Sequence, residues 1–298
     1  PGLEKYVRQI RPDIFHIEEE HYSFVTYQAI KLAKKYGIKC LFVTWQNIYK
    51  KYPFPFSRIE QYNLENTDYA IAGSNDVRKV LVRKGFDNKR ISMIPLGTDT
   101  LMFHKMVSTE LRLKLQLEFF TIGYLGRFVK EKGVMDLLDA VSLIDYDFNL
   151  LLVGGGKLRQ IIKAEGKRLG ILKKLKIVDS VSSCQVPSYL NCMDCLVLPS
   201  RTTRKWKEQF GRVLTEAMSC GVPVIGSDSG EIPNVMGDCG LVFKEGDVSD
   251  LSAKIKRLIN NSDLNGEFAK KGRQRVLDYF TQEKAARETY KIYQKMMC

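Results

Sequence analysis

No stretch of the sequence reaches the roughly 18 uncharged apolar residues that a membrane-crossing helix needs. Residues Pro1 to Arg11 also lack the apolar middle of a secretory signal. A cytoplasmic location is the expectation. Cysteine is sparse and scattered: Cys40, Cys184, Cys192, Cys195, Cys220, Cys239 and Cys298 form neither an even framework nor a disulfide-dense pattern, which points to reduced thiols. Cys192 and Cys195 make one C-x-x-C, yet no second Cys or His pair stands at zinc-finger spacing, so buried small side chains are the plainer reading. Complete nucleotide motifs are missing as well. There is no G-x-x-x-x-G-K-[ST], and the run LLVGGGK from Leu151 to Lys157 lacks both the full G-x-G-x-x-G and an acidic partner about 20 residues on, which leaves a dinucleotide fold unsupported.

Acidic residues are outnumbered, 34 against 47 Lys and Arg, for a formal charge of +13. Where the excess sits decides its meaning. Lys157, Arg159, Lys163, Lys167, Arg168, Lys173, Lys174 and Lys176 crowd one segment against Glu165 alone, as on the solvated face of an amphipathic helix. No stacking aromatics interleave with them, so no nucleic-acid platform is expected. Anionic substrates or an anionic membrane surface remain as partners. At 298 residues with 44% hydrophobic content, the chain is long enough for two packed domains.

Short apolar runs alternate with amphipathic stretches: Ile14 to Ile17, a helix near Ser23 to Tyr36, Lys39 to Thr44, Ala70 to Ala72, and a helix near Asp76 to Lys84. This is the βαβ rhythm of a parallel sheet wrapped by helices. It restarts after Ile94-Pro95-Leu96-Gly97, with strands read at 121–125, 149–153, 176–179, 195–198, 224–225 and 241–243. The expected fold is α/β, with two Rossmann-like doubly wound parallel-sheet domains facing across a cleft. The first, with three or so strands, is incomplete, as if the sequence began partway through a domain. The expected boundaries are 1–97, 98–275, and a helical tail at 276–298 that returns toward the first domain. The pattern from Leu264 to Cys298 reads as helical throughout.

Three segments carry chemistry. TIGYLGRFVKEKG, from Thr121 to Gly133, runs from a strand into a loop holding Gly126, Arg127, Lys130 and Lys132, where backbone can come close to a ligand and cations suit a diphosphate. A basic loop at a strand end by chance is the plain alternative. The glycines from Gly154 end a second strand at the carboxyl side, where open α/β sheets bind ligands. The third segment is WKEQFGRVLTEAMSCGVPVIG from Trp206 to Gly226. Glu208 stands before a Phe-Gly turn and Glu216 falls two turns into the following helix, so two carboxylates can accept pairs of sugar hydroxyls. Backbone amides at Phe210, Gly211 and Arg212, where that helix begins, face negative charge. Without the other segments, a capping Glu and an ordinary helix-surface Glu would be the simpler account.

Together these segments resemble the retaining glycosyltransferases of the GT-B fold, family 4. Glu208 and Glu216 match that family's E-x7-E, and Gly126, Arg127 and Lys132 match its G-R-x-x-x-x-K-G loop. Pro199-Ser200, Gly230-Glu231-Ile232-Pro233 and Gly246-Asp247 extend the similarity over about 95–260. The resemblance implies that Arg127 and Lys132 neutralise the diphosphate of a UDP-, GDP- or ADP-sugar, that Glu208 holds hydroxyls of the transferred sugar, and that Glu216 holds the ribose. Phe210 and Gly211 would add amides near the sugar or phosphate. The base is expected near Val178 to Val181, where this chain carries Asp179 in place of a frequent glycine. No metal or other cofactor is implied, and Asp145-Tyr146-Asp147, the one D-x-D, reads as a surface turn ahead of a strand.

In the first half, His16, Glu18 and Glu19 stand where relatives place a strand-end His or acid, which makes them candidates for acceptor contact or proton transfer. A structural His beside a solvated acidic loop fits as well. Thr44 to Asn47 also ends a strand on the acceptor side. KKYPFPFS from Lys50 to Ser57 mixes cations with aromatics. It suits either peripheral contact with the inner face of an anionic membrane, with a lipid-linked rather than free sugar acceptor, or a packed lid. The expected activity is sugar transfer in polysaccharide, glycolipid or glycoconjugate synthesis. The rivals are a donor-binding scaffold of the same fold and a nucleotide-sugar epimerase, which would form product without an acceptor.

Overall fold

A computed structural model describes residues 2–298, which divide into two compact units: residues up to 96 with 283–298, and residues 97–282. The first unit contains α1 (Gly2–Ile10), β1 (Ile14–Ile17), α2 (Phe24–Tyr36), β2 (Lys39–Thr44), α3 (Phe56–Asn66), β3 (Tyr69–Ala72), α4 (Asn75–Arg83) and β4 (Ile91–Met93). The second contains α5 (Thr109–Lys114), β5 (Phe120–Leu125), α6 (Val134–Ser142), β6 (Phe148–Val153), α7 (Arg159–Arg168), β7 (Leu175–Val178), α8 (Val186–Leu190), β8 (Cys195–Leu198), α9 (Arg212–Ser219), β9 (Val224–Ser227), α10 (Ile232–Met236), β10 (Gly240–Phe243), α11 (Val248–Ile259) and α12 (Ser262–Tyr279). The last helix, α13 (Gln282–Met297), belongs almost wholly to the first unit.

In the first unit four parallel strands lie in the order β1-β2-β3-β4. Alternate residues point to opposite faces. Cys40, Phe42, Ala70 and Ala72 pack on one side with Val7 of α1, Ile30 of α2, Leu64 of α3 and Leu81 of α4. Leu41, Val43, Tyr69 and Ile71 pack on the other with Ala285, Ile292, Tyr293 and Met296 of α13. Local signals set the helix ends. Ser23 Oγ caps α2 by accepting from the Val25 amide at 3.1 Å, and Gly37, at φ 67°, closes its far end in the left-handed conformation.

The second unit holds six parallel strands in the order β10-β9-β8-β5-β6-β7, a doubly wound sheet whose strand order reverses between β5 and β8. All six residues of β6, FNLLLV, are buried, as expected of a parallel strand covered on both faces. The basic segment behaves as read: Lys163, Lys167 and Arg168 of α7 are solvent-exposed, whereas Ile162 is buried. All seven cysteines are free. Burial pushes the Cys192 and Cys195 thiols up, away from the reactive thiolate.

The structure departs from the expected tail. The helix breaks at Phe280 and Thr281, because the Thr98 amide donates to the Phe280 carbonyl at 2.7 Å and Thr98 bridges Thr281. The Thr98 hydroxyl in turn donates to Thr215 Oγ1 at 2.7 Å. That pairing is tertiary and leaves no trace in helical periodicity. It also keeps 276–282 with the second unit.

Gly133, at φ 67°, starts α6 where a Cβ would lie 1.8 Å from the Pro199 carbonyl oxygen. Gly170 has a similar φ of 72° but open space around it. Gly133→Ala is therefore expected to cost about 3–5 kcal/mol, and Gly170→Ala only about 1–2 kcal/mol. Urea titrations of the two variants measure the difference.

Candidate active site

The residues singled out in the second unit lie on loops at the carboxyl ends of its strands, around the order reversal between β5 and β8, where open α/β sheets bind ligands. Gly126 follows β5 and donates its amide to the Val153 carbonyl at 3.0 Å, which ties the β5 loop to the end of β6. Gly154, at φ 144°, lies so close that a Cβ there would sit 2.0 Å from the Gly126 carbonyl oxygen. The buried Tyr124 hydroxyl donates to the Arg127 carbonyl at 2.7 Å. This fixes the backbone of Arg127, while its side chain is exposed and makes no ion pair among the described residues. A 3-10 turn, Lys130–Lys132, then leads into Gly133 and α6.

Lys132 and Glu208, far apart in sequence, meet here. Lys132 Nζ donates to Glu208 Oε2 at 2.6 Å, and Ser200 Oγ, just beyond β8, donates to the same oxygen at 2.8 Å. The Glu208 side chain is only 8% exposed and that of Lys132 19%. A pair this enclosed is held by strong charge-assisted bonds. The backbone of Glu208 is also pinned from β9: its carbonyl accepts the Glu231 amide at 3.3 Å, and a Cβ on Gly230 would lie 2.0 Å from that oxygen.

Phe210 buries its ring edge-on against Phe280, with centroids 5.7 Å apart, so its side chain serves packing. Gly211 takes φ 81° at the start of α9, where a Cβ would press on Leu198 and Leu214 at 3.0 Å each. From the first turn of α9, Arg212 Nε donates to Glu216 Oε1 at 2.7 Å. Burial raises the Glu216 carboxyl above its ordinary pKa, and Arg212 pulls in the other direction. Val181 is half-buried in the loop after β7. Asp179, on the same loop, is engaged by Arg159 Nη1 at 2.7 Å. Asp145 and Asp147 precede β6 at the amino end of the sheet, where Asp147 faces Lys174 at 3.8 Å.

In the first unit, His16 on β1 is half-buried. Its Nδ1 lies 2.5 Å from the Tyr293 hydroxyl and its Nε2 3.0 Å from Glu18. Burial lowers the imidazole pKa and Glu18 offsets part of that. Glu19 is exposed. The best-anchored acid of this loop is Glu20, which sequence reasoning passed over: its oxygens accept from the Thr44 hydroxyl at 2.5 Å and the Trp45 amide at 3.0 Å. Behind it, the fully buried His21 places Nδ1 3.0 Å from Thr44 Oγ1 and Nε2 3.1 Å from Glu60. Glu60 also accepts from Lys84 at 2.7 Å. Burial tends to raise the Glu60 carboxyl, but the bonds from His21 and Lys84 bring it below its ordinary value. The three consecutive Glu residues hid which one is built in, because only tertiary partners distinguish them.

Residues 110–275 match the family model of glycosyl transferases group 1, and residues 1–100 match that of glycosyltransferase family 4. The chain belongs to the group 1 glycosyl transferases. An uncharacterized glycosyltransferase of Methanocaldococcus jannaschii is 33% identical over 175 residues, covering 58% of this chain and 47% of that protein. A capsular polysaccharide biosynthesis glycosyltransferase of Staphylococcus aureus is 27% identical over 238 residues, covering 76% of this chain and 61% of its own length. The chain thus spans about half to three-fifths of these relatives. Among solved structures, Anabaena HepE in complex with UDP superposes with a TM-score of 0.88 at 17% identity, covering 98% of this chain and 82% of HepE. HepE has also been solved with UDP-glucose. The fold class is GT-B, with two parallel-sheet α/β domains. The group 1 match covers every residue from Gly126 to Glu216 singled out in the second unit.

In this group 1 chain, Glu216 has the higher pKa in the folded state. Its contribution to stability is full below the unfolded pKa and is lost as pH rises through the folded value. Glu216→Gln is expected to raise Tm by roughly 1–3 °C at pH 8. That gain should fade below about pH 4, where the carboxyl is protonated in both states. Thermal scans at the two pH values check the sign.

Proposed function

We propose that this chain transfers a sugar from a nucleoside-diphosphate sugar to a hydroxyl acceptor with retention at the anomeric carbon, in polysaccharide, glycolipid or glycoconjugate synthesis. The observation that carries this is the Lys132–Glu208 ion pair at the strand-order reversal, with Glu216 two turns along the next helix. Arg127 and Lys132 supply positive charge for the diphosphate. Glu208 accepts hydroxyls of the transferred sugar and Glu216 those of the ribose. The amides of Phe210, Gly211 and Arg212 open a helix toward negative charge, and the close approach of Gly126 and Gly154 fixes the loops that carry Arg127 and Lys132. Val181 lies on the loop proposed to meet the base.

The acceptor oxygen bonds to the anomeric carbon on the face that the diphosphate leaves. The bonding pair departs with the diphosphate oxygen, which takes up the hydroxyl proton. Negative charge grows on that oxygen, and fixed cations stabilise it more in the transition state than before it. With this charge supplied by side chains, the reaction is proposed to need no metal, so EDTA should leave the rate unchanged. HepE, solved with UDP and UDP-glucose, supports a nucleotide-sugar donor. The name of the S. aureus relative supports a role in polysaccharide synthesis.

His16 and Glu19 are proposed for acceptor contact in the first unit. Phe54 and Phe56, 75% and 48% exposed among Lys50, Lys51 and Arg58, favour a lipid-linked acceptor met at the inner face of an anionic membrane by an otherwise cytoplasmic protein. Co-sedimentation with phosphatidylglycerol vesicles should exceed that with phosphatidylcholine and fall with salt. Equal binding to both would reject the membrane contact.

Thermal shifts with UDP, GDP and ADP sugars test the donor. A ligand at 100 times its Kd should raise Tm by roughly 5–10 °C. Glu208→Ala and Lys132→Ala should each lower kcat by about a hundredfold or more. Indifference to every nucleotide sugar and to both substitutions would sink the proposal.

A further inference from the structure

Lysine is a poor choice for a fixed charge. Its ammonium is a point cation on a four-carbon stem with many rotamers, and it lacks the planar fork that lets arginine lock onto a carboxylate. A nearby arginine shows that lock: Arg201 grips Asp136 through two bonds of 2.5 and 2.6 Å. Lys132 has one charged anchor, Glu208. A second carboxylate would hold it firmly but would turn the local field negative, against any anionic ligand.

The structure supplies a neutral anchor. The Lys132 ammonium lies over the indole of Trp206, 5.0 Å from the ring. The π-face of an aromatic ring attracts a cation without cancelling its formal charge. Trp206 is itself held by a tight turn: its amide donates to Thr203 Oγ1 at 2.9 Å, and its carbonyl accepts the Thr203 amide at 2.7 Å. Glu208, the other anchor, is braced by Ser200. The ammonium is thus gripped from two sides by groups that are each independently fixed, and the ring adds no second negative charge beside the Glu208 carboxylate.

We propose that Trp206 is a positioning residue that holds the Lys132 ammonium in place for the leaving diphosphate. This rests on the function proposed above. Because the charge on the leaving oxygen grows as the bond breaks, a correctly placed cation matters more in the transition state than in the bound ground state. Loss of Trp206 therefore shows in kcat rather than in KM.

The test compares Trp206→Ala, Trp206→Phe and Trp206→Leu with Lys132→Ala, measuring kcat and KM for donor turnover, binding of UDP, GDP and ADP by calorimetry, and Tm. Trp206→Ala is expected to lower kcat about tenfold with KM within about twofold. Trp206→Phe, which keeps a π-face, should recover to within about threefold of the parent. Trp206→Leu, which fills space without a π-face, should not. In a Lys132→Ala background, Trp206→Ala should add nothing further. If Leu rescues as well as Phe, or if kcat is unchanged in Trp206→Ala while Lys132→Ala is impaired, the positioning role is overturned and the proposed function stands. If Lys132→Ala is fully active or none of the three nucleotides binds, the proposed function falls and this inference falls with it. Should Trp206→Ala fail to fold, the comparison of Phe with Leu decides.

Discussion

The second unit depends on backbone passing against backbone where side chains would ordinarily intervene. At the carboxyl ends of its strands glycines lie against carbonyl oxygens, as do Gly154 on Gly126, Gly133 on Pro199, and Gly230 on Glu208. All three glycines have positive φ, so sterics and conformation impose the same residue. Each approach joins loops from different strands. They set where α6 begins and where Glu208 turns, and through those the meeting of Lys132 with Glu208. Cations and carboxylates do the chemistry proposed for this site, but the absence of Cβ atoms decides where they stand.

The carboxylates follow two different logics. Glu208 is ionically satisfied by Lys132 and Ser200 within a few ångströms. Glu216 is buried with one partner, Arg212, that reaches it from an exposed position. A buried carboxylate with a weak partner carries a desolvation cost, which is seen in its raised pKa. In the role proposed for Glu216, ribose hydroxyls would offset that cost by donating to the carboxylate.

Much of this was legible in the sequence because its signals are local. Six apolar runs marked the strands of the second unit, and the carboxylate spacing and the Gly-Arg loop marked Glu208 and Lys132, which meet in the structure. The first unit was read less fully: the helices α1 and α3 went unremarked, as did β4, which is only three residues long. What sequence could not show were pairings between distant residues. His16 meets Tyr293 across 277 positions, Thr98 interrupts a helix that periodicity carries straight through Phe280, and Trp206 reaches Lys132 from another loop. Glu20 was indistinguishable from Glu18 and Glu19 until Thr44 and Trp45 singled it out.

The position of α13 has a consequence for biosynthesis. One face of the first sheet, at Leu41, Val43 and Ile71, is covered by residues from Ala285 to Met296. On the ribosome that face stays bare while the intervening 186 residues of the second unit, 97–282, are made. The second unit has every strand and helix of its own core in hand before α13 emerges. The domain whose strands are translated first is therefore the one whose core closes last.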